Sequence, residues 1–381
     1  MKTVRGAFVS FRFPVWRRTV AIGVRRAACL AGAAMMLLAV AGTRAQQANL
    51  PEPPKVIIPP AAVAGFFGGK PAKVLVQGEP FTKGNSRDRL GALYLLDLNK
   101  PPYQLEFICD DASAGDLEQF ISPDGTRFVY SVTPADLSRG RPKPGSTYDS
   151  SKIYIRRLAK DGPDKTLVGD GYEPRWWVHP KTGDEYIISA SNRWENSTDI
   201  TGQTWIQKIR KGACQPEGPR KVLIGNYAFR GGRSPNGRYI CTSIPGGNVA
   251  EFLDPLAVEN AKVKLVNDEE AHTICNGTMP QNDALGGKML FEDKGHGGIN
   301  VGLPPYPPQH PGVEHVGLAP GTRQLQRLEW SAHPDFVVGR LGNKGGKGDD
   351  AAEGLYFLQW STKKWQQMTR GGQACHLWVE K

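Results

Sequence analysis

The sequence lacks the short motifs by which many enzyme active sites are recognised. It contains no Gly-x-Ser-x-Gly, so the nucleophile of an α/β-hydrolase has no support. It also contains no HxH, HxxxH or HExxH spacing, the patterns that place two histidines beside one metal ion. Its glycine-rich stretches at 68–70 and 342–348 are not followed by a helical pattern, so they are expected to be loops and not phosphate cradles. No catalytic residue is therefore predicted.

Long apolar runs are also scarce, and the first 45 residues lack any acid. They hold eight of the 48 basic residues and the one sustained apolar run, from Ala27 to Ala41. A basic region, a short apolar run and small residues near Ala41 or Ala45 are typical of a secretory signal peptide, here at 1–45. A run of about 15 residues is short for a membrane span, although an uncleaved anchor helix is the alternative. We expect a periplasmic or extracellular protein with no membrane span after cleavage.

The chain that remains after cleavage has little net charge. Removing the eight basic residues leaves 40 Lys and Arg against 37 Asp and Glu. A nearly neutral chain gives no electrostatic reason to expect a nucleic-acid partner. The basic excess of the whole sequence belongs to the predicted signal peptide.

Cysteines are few, and their number is odd once the signal peptide is removed. In an oxidising compartment an odd number leaves at least one free thiol or an intermolecular bond. No two of them have the spacing of metal ligands. Cys241 and Cys275 fall in neighbouring repeats and are the pair most expected to bond, although spacing does not give the connectivity. The five remaining cysteines are Cys109, Cys214, Cys241, Cys275 and Cys375.

Residues 46–71 are rich in proline and alanine and have no periodicity. Such a stretch is not expected to bury a face, so it predicts an extended linker or arm. The 310 or so residues that follow, 72–381, are enough for one large domain.

A repeated phrase dominates this long segment. Ser122-Pro123-Asp124-Gly125 precedes the apolar run 128–130, and Ser234-Pro235-Asn236-Gly237 precedes the run 239–241. Proline pre-sets φ, Asp or Asn bonds its own backbone, and Gly accepts positive φ, so each phrase predicts a tight turn between two strands. Degenerate copies occur at 179–183, 279–282 and 333–335. A unit that recurs every 45 to 57 residues indicates a propeller or an array.

The two ends of this segment predict how the ring closes. Four short strands accompany each turn, which is the composition of one propeller blade. The segment opens at 72–76 with what matches the second strand of a repeat, and it finishes at 371–379 with what matches a first strand. We therefore predict an all-β, six-bladed propeller in which the strand Cys375–Val379 pairs with Val74–Val76. Such closure removes exposed sheet edges.

The repeat resembles the TolB-type family of propeller repeats, in which an aromatic residue precedes Ser-Pro-Asp-Gly and an apolar strand follows it. The resemblance extends over about 72–381 and is specific at 122–130 and 234–241, partial at 330–335 and weak at the other two copies. It implies a six-bladed propeller from an exported bacterial protein, with a role mostly in binding. TolB itself has an α/β domain before its propeller that this sequence does not show, so an identical role is not expected.

A row of charged residues occurs at one fixed position of the repeat. The positions five residues before the turn prolines hold Glu118, Arg175, Arg230, Cys275 and Glu329. Because first strands line a propeller's channel, Glu118, Arg175, Arg230 and Glu329 are predicted to ring its hydrated mouth and to bind a partner. The alternative is that they simply alternate with an apolar row and reach solvent.

These observations predict a non-enzymatic binding or scaffold module, monomeric and without a cofactor, that engages a protein partner or a polysaccharide through the channel mouth and loops. The alternative is a metal-dependent lyase or hydrolase acting on polysaccharide fragments. It would use one divalent metal held by His272, His296 and His376, which resembles some pectin-fragment lyases built as propellers. The competing interpretation of these histidines is that they are packed or solvated.

Overall fold

The computed structural model describes residues 50–81, 90–113, 119–132, 151–159, 162, 165–193, 201–242, 249–266, 275–281, 283–292, 295–303, 312–342 and 352–380. Chain contacts divide the chain into two units, 1–50 and 51–381. The predicted signal peptide lies outside the described residues. The second unit is described below.

The regular secondary structure in the described part of this unit is almost entirely β, with one α-helix, α1 (Pro60–Phe67), and one 3-10 turn (Asp283–Leu285). No helix in the described ranges has the length and apolarity needed to cross a membrane. The strands are β1 (Lys55–Val56), β2 (Ala72–Phe81), β3 (Leu90–Asp97), β4 (Leu105–Ser113), β5 (Gln119–Ile121), β6 (Arg127–Val132), β7 (Lys152–Arg157), β8 (Thr166–Asp170), β9 (Tyr172–Val178), β10 (Glu185–Arg193), β11 (Thr201–Ile209), β12 (Lys221–Ile224), β13 (Tyr239–Cys241), β14 (Val249–Phe252), β15 (Val263–Leu265), β16 (Cys275–Thr278), β17 (Met289–Glu292), β18 (Gly298–Gly302), β19 (Glu314–Gly317), β20 (Gln324–Trp330), β21 (Phe336–Gly342), β22 (Gly354–Gln359), β23 (Lys364–Gln367), β24 (Thr369–Arg370) and β25 (Ala374–Val379).

Six antiparallel sheets form the blades of a β-propeller, which confirms the predicted fold and blade number. Blade 1 has the strand order β25-β2-β3-β4, blade 2 has β5 to β8, and blade 3 has β9 to β12. Blade 4 has β13 to β15, blade 5 has β16 to β19, and blade 6 has β20 to β23. In blade 4 the innermost segment is irregular and meets β13 through a bridge between Arg233 and Ile240.

The ring closes as predicted, because the last strand pairs with the first strand of the ring. In blade 1, Val74 lies opposite Leu377 and Leu75 lies opposite His376. Leu377 and Val379 are completely buried. The two chain ends of the propeller thus share one sheet, which leaves neither strand with an exposed edge at the closure.

The repeated phrases lie together at one end of the ring, which we call the turn face (residues 122–126, 179–184, 234–238 and 331–335). The Gly125 N–H donates to the Ser122 carbonyl at 2.9 Å, which closes the predicted turn. Gly125 has a φ of 68°, and a Cβ there would collide with the Trp378 indole. Glycine is therefore required at this position both for its backbone angle and for space.

Tryptophans join the two full copies of the phrase to the preceding blades. The indole N–H of Trp378 in blade 1 donates to the Pro123 carbonyl in blade 2 at 3.0 Å. The indole N–H of Trp177 in blade 3 donates to the Ser234 carbonyl in blade 4 at 3.0 Å. The phrase therefore both turns the chain and receives a hydrogen bond from the neighbouring blade.

A buried arginine holds blade 4 against blade 3 at the same face. The Arg233 guanidinium lies 4.1 Å from the Trp177 ring centroid and 3.8 Å from that of Phe252. It donates to the carbonyls of Gly237, Pro255 and Ala257 at 3.0, 2.8 and 2.7 Å. Each of the three guanidinium nitrogen atoms therefore donates to a carbonyl group within the protein.

The opposite end of the ring, where the inner strands begin, is called the loop face; its described residues include Glu173, Glu292, Arg340, Glu353 and Gln373. Each blade's second strand is joined to its third strand on this side. Most of these connecting residues fall outside the described ranges.

The segment expected to be an extended linker or arm contains buried residues, among them Ile58, Val63 and Phe67, which corrects that expectation. β1 pairs with β24, and the α1 side chain of Phe67 is buried. Its ring centroid lies 5.0 Å from that of Phe336 and 5.1 Å from that of Phe357, both in blade 6. The helix begins with Pro60 and ends at Gly68 in the left-handed region, which are favoured residues at these positions. Phe66 and Phe67, at the end of the helix, supply its apolar face. The overall composition of residues 46–71 did not indicate such a face.

The expected pairing of Cys241 with Cys275 is also corrected, since Cys241 is a free thiol. It is buried in an apolar cluster with Met279, Met289 and Phe291 between blades 4 and 5. Its sulfur fills the space beside Gly231, where a Cβ would collide with it. Burial raises the pKa of this thiol well above its usual range. Cys241 thus acts as a small apolar core residue.

Candidate functional site

A buried ion pair crosses the axis of the ring. Arg175 is the middle residue of β9 in blade 3, and Glu329 is close to the end of β20 in blade 6. Because the ring has six blades, these two blades lie on opposite sides of the axis. The Arg175 Nη2 atom lies 3.4 Å from the Glu329 Oε2 atom, and the side chains are 4% and 3% exposed. The pair therefore fills the axis at this level.

Side chains from the other blades surround this pair. The Thr278 hydroxyl of blade 5 donates to Glu329 Oε1. The Arg175 guanidinium lies 3.8 Å from the centroid of the Phe120 ring of blade 2, which in turn lies 4.8 Å from the His376 ring of blade 1. The backbone of blade 4 completes the ring, since a Cβ on its Gly232 would lie in ordinary contact with Arg175. We call this set the axial cluster: Phe120, Arg175, Gly232, Thr278, Glu329 and His376.

Burial shifts the titration of two members of the axial cluster in opposite senses. Burial raises the pKa of Glu329 to about 7, although the Arg175 charge and the Thr278 hydroxyl favour its ionised form. Burial, with the nearby Arg175 charge, lowers the pKa of His376 to about 3. The Ile121 N–H donates to His376 Nδ1 at 3.3 Å, so the proton of the neutral imidazole lies on Nε2. His376 is thus neutral at pH 7, and Glu329 titrates near pH 7.

A second buried pair lies on the loop-face side of the first. The Arg230 Nη1 atom of blade 4 is 3.0 Å from Glu173 Oε1 of blade 3, with side-chain exposures of 5% and 7%. Its guanidinium also lies 5.2 Å from the centroid of the Tyr172 ring. Glu173 has a φ of 47°, in the left-handed region that glutamate rarely adopts. This strained position turns its carboxylate toward the neighbouring blade.

The predicted row of charges is therefore near the axis, but three of its members are buried and paired where a hydrated mouth was expected. Arg175, Arg230 and Glu329 come from three different blades. The position five residues before the turn proline falls inside the inner strand, as it does for Arg175 in β9, and not at the strand's exposed end. Glu118 lies outside the described residues. A binding role for these four residues stays a prediction.

A histidine backed by a buried carboxylate lies at the loop face of blade 5. His296 Nδ1 is 2.5 Å from Glu292 Oε2; the imidazole is 29% exposed and the carboxylate is completely buried. Burial raises the pKa of Glu292, while His296 opposes that shift. His296 has a φ of 53°, and its carbonyl accepts the Leu325 N–H of blade 6 at 3.0 Å. Because Nδ1 donates to the carboxylate, Nε2 is the acceptor nitrogen of the neutral ring.

The three histidines of the predicted metal site have different environments. His296 bonds Glu292 at the loop face, His376 is buried in the axial cluster, and His272 lies outside the described residues. Across the described ranges, no three or more His, Cys, Asp or Glu side chains are grouped so as to hold a metal ion. The metal site stays a prediction. Sequence reasoning selected His296 as one of three candidate metal ligands but missed Glu292, which belongs to no recognisable motif.

A polar network at the loop face joins blade 6 to the closing strand of blade 1. Arg340 donates to the Gln373 side chain at 2.6 Å and also bonds Glu353. Glu79 accepts hydrogen bonds from the Gly372 N–H, at 3.2 Å, and from the Gln373 amide. The Arg340 and Glu353 side chains are 15% and 37% exposed. Three partly exposed polar residues of the loop face, His296, Arg340 and Glu353, are called the mouth residues.

Comparison with known proteins finds similar solved structures but assigns the chain to no family. No protein-family model matches this sequence, and no curated protein matches it. An acylaminoacyl peptidase from Pyrococcus horikoshii is similar over 78% of this chain and 46% of its own, at 12% identity and a TM-score of 0.39. This chain thus spans about half the length of that peptidase.

Two further solved structures are similar over most of their own length. The β-propeller domain of the Trilobed protease from Pyrococcus furiosus matches 78% of this chain and 96% of its own, at 10% identity and a TM-score of 0.36. A TolB candidate from Agrobacterium tumefaciens matches 82% of this chain and 98% of its own, at 12% identity and a TM-score of 0.30. The six sheets of the chain itself establish the fold, and nothing about function follows from likenesses at this level.

Proposed function

We propose that this protein is a non-enzymatic binding or scaffold module of the periplasm or cell exterior, and that it engages a protein partner or a glycan with the loop face of its propeller. The proposal keeps the role implied by the TolB-type resemblance and by the predicted signal peptide. It moves the contact from the buried charge row to the mouth residues.

One observation carries this proposal: the partly exposed polar groups of the loop face are held in place by buried or conformationally fixed partners. His296 is oriented by the buried carboxylate of Glu292, and Arg340 is oriented by Gln373, which is 7% exposed. Polar groups that are already ordered lose little side-chain entropy when a ligand binds them. The axial cluster pairs its charges internally, so it is not expected to contact the ligand.

The proposal is tested by photo-crosslinking from the two faces of the ring. A photoreactive amino acid replaces Glu353 at the loop face or, as the matched control, the exposed Lys181 at the turn face. Each purified protein is irradiated in an envelope extract of the source organism. We expect a discrete adduct from position 353 that excess unlabelled wild-type protein suppresses, and none from position 181. Equal adducts from both faces, or none from position 353, would contradict the proposal.

A second candidate function is supported by the pairing of His296 with Glu292. A carboxylate that accepts the N–H of one imidazole nitrogen is the usual partner of a histidine whose other nitrogen binds a metal. A metal-dependent lyase or hydrolase on polysaccharide fragments would use such a residue. Elemental analysis of the purified protein separates the two functions: stoichiometric Mn, Fe or Zn that is lost in His296→Ala would favour the enzyme.

A further inference from the structure

A groove lies on the outer rim of the propeller. It forms where the outer strands of blades 5 and 6 meet the helix α1, and it has a volume of about 630 Å³. Ligand-binding clefts for small molecules commonly enclose about 300–1,000 Å³. Its lining includes Phe66, His315, Gly317, Lys363, Lys364 and Trp365.

Two aromatic side chains form fixed walls of this groove. The Trp365 indole N–H donates to the Gly317 carbonyl at 3.0 Å, and its ring packs edge-on against Tyr356 with centroids 6.3 Å apart. The Phe66 ring packs edge-on against Phe357 with centroids 4.7 Å apart. Both rings are only partly buried. Rigid aromatic surfaces of this kind contact flat or ring-shaped ligands at a low entropy cost.

The groove is also positively charged. Lys363 Nζ lies 3.1 Å from Glu314 Oε2 and 3.4 Å from the centroid of the Trp360 ring. Lys288 Nζ lies 3.2 Å from the other oxygen of the same carboxylate. Among the lining residues, Lys363 and the exposed Lys364 are the charged ones, and none is a carboxylate; Glu314 and Lys288 lie beside the groove and do not line it. This balance favours an anionic ligand.

The geometry disfavours an extended peptide that would add as a further strand. Strand addition needs a free row of backbone groups on a sheet edge. The bond from Trp365 to Gly317 joins the outer strand of blade 6 to that of blade 5 and uses a carbonyl of that edge. A compact ligand that contacts side chains fits the groove better than a strand does.

We propose that this groove binds a carboxylate-bearing saccharide, with sugar rings against Trp365 and Phe66 and the carboxylate beside Lys364. The cationic rim selects the acidic group, and the aromatic walls accept the apolar faces of the sugar rings. This proposal does not rest on the function proposed above.

The test is calorimetric titration of the whole purified protein with a uronic-acid trisaccharide. The matched ligand is the same trisaccharide with its carboxyl groups reduced to alcohols. The variants are Lys364→Glu in the groove and Lys181→Glu at the turn face, each compared with wild type for its unfolding midpoint. We expect the acidic trisaccharide to bind wild type and Lys181→Glu equally. We expect at least a tenfold weaker affinity for Lys364→Glu and for the reduced trisaccharide.

Three outcomes would overturn the inference. They are no binding of the acidic trisaccharide, equal binding by Lys364→Glu, and equal affinity for the reduced trisaccharide. A hexaglutamate peptide that displaces the trisaccharide and binds at least tenfold more tightly would assign the groove to acidic peptides instead. If Lys364→Glu unfolds at a lower midpoint, Lys364→Gln replaces it, and the expected loss of affinity is the same in direction.

Discussion

The two ends of the propeller differ in how they use polar groups. At the turn face, the two full copies of the repeated phrase close the same turn in blades 2 and 4. Buried side chains such as Trp177, by a hydrogen bond, and Arg233, by its contact with Trp177, join one blade to the next. At the loop face, the polar groups follow no repeat: Glu292 belongs to blade 5 alone, and Arg340 to blade 6 alone. Residues that recur in the repeat form the turns and the packing contacts that the blades share. A binding site is instead expected among residues that differ from blade to blade.

The largest expected effect comes from the strand that runs between both faces. Deleting residues 374–381 removes β25, with the buried Leu377 and Val379, and exposes the edge of β2. The loss should exceed about 5 kcal/mol, which is comparable with the whole stability of a typical domain. We expect no cooperative unfolding transition by circular dichroism. A truncated protein that melts like the full chain would disprove this closure.

The next largest effect is expected at the turn face. Arg233→Ala leaves the carbonyl groups of Gly237, Pro255 and Ala257 without their donor and removes the contacts of Arg233 with Trp177 and Phe252. Gly237 is buried, whereas Pro255 and Ala257 are exposed enough for water to replace the donor. One unsatisfied buried group together with the lost ring contacts gives an expected loss of roughly 2–4 kcal/mol in urea unfolding. The matched control is Arg238→Ala, whose exposed pair with Glu251 should matter little. Equal effects of the two changes would contradict the bridging role of Arg233.

Glu329 should make the protein more stable as the pH falls from 7 to 4.5. Its folded pKa of about 7 exceeds its usual value of 4.5, so the folded state binds the proton more tightly in that window. The gain is about 1.4 kcal/mol per pH unit, on the order of 3 kcal/mol in total, and it is lost again as the pH rises through 7. Glu329→Gln removes this gain. Relative to wild type, we expect the variant to lose stability by that amount on acidification, measured by urea unfolding at several pH values.

His376 should act in the opposite direction. Its folded pKa of about 3 is below its usual 6.5, so the unfolded state binds the proton more tightly between these values. Stability should therefore fall by about 1.4 kcal/mol per pH unit as the pH drops below 6.5. Between pH 6.5 and 4.5 the two groups offset each other in the wild type. His376→Gln should gain stability relative to wild type on acidification, by roughly 3 kcal/mol. Parallel pH curves for the variant and wild type would show that this imidazole is not buried.

The smallest effect is expected for a single hydrogen bond of the turn face. Trp378→Phe removes the indole N–H that donates to the Pro123 carbonyl and keeps most of the ring. A net loss of about 1 kcal/mol is expected in urea unfolding, the usual value for one such bond. An unchanged midpoint would mean that the repeated phrase does not depend on the neighbouring blade.

The turn face could be predicted from the sequence because its chemistry is local. Pro123, Asp124 and Gly125 define a turn by their own backbone preferences, and the spacing of such turns gives the blade number and the closure. The packing of α1 could not be predicted, because Phe67 contacts Phe336 and Phe357 of the last blade. Glu292 was missed for the same reason: its role depends on the fold that buries it behind His296.

The depth of the row of charged residues along the propeller axis could not be predicted from the sequence. The position of the row relative to the turn proline is plain in the sequence, but whether that position is exposed depends on where each inner strand begins. Arg175 lies in the middle of its strand, so its charge is enclosed by the other blades. The repeat therefore predicts which residues share a level, and only the strand bounds show how deep that level is.

The central claim is that a buried ion pair closes the axis beneath the loop face, and a double-mutant cycle tests it most directly. Arg175→Met, Glu329→Gln and the double variant are unfolded in urea at pH 8, where Glu329 is ionised. Each single change leaves one buried charge without its partner. We predict a coupling free energy of roughly 2–3 kcal/mol between the two sites. Small, additive losses with a coupling near zero would contradict the claim, because they would place both charges in a hydrated, screened channel.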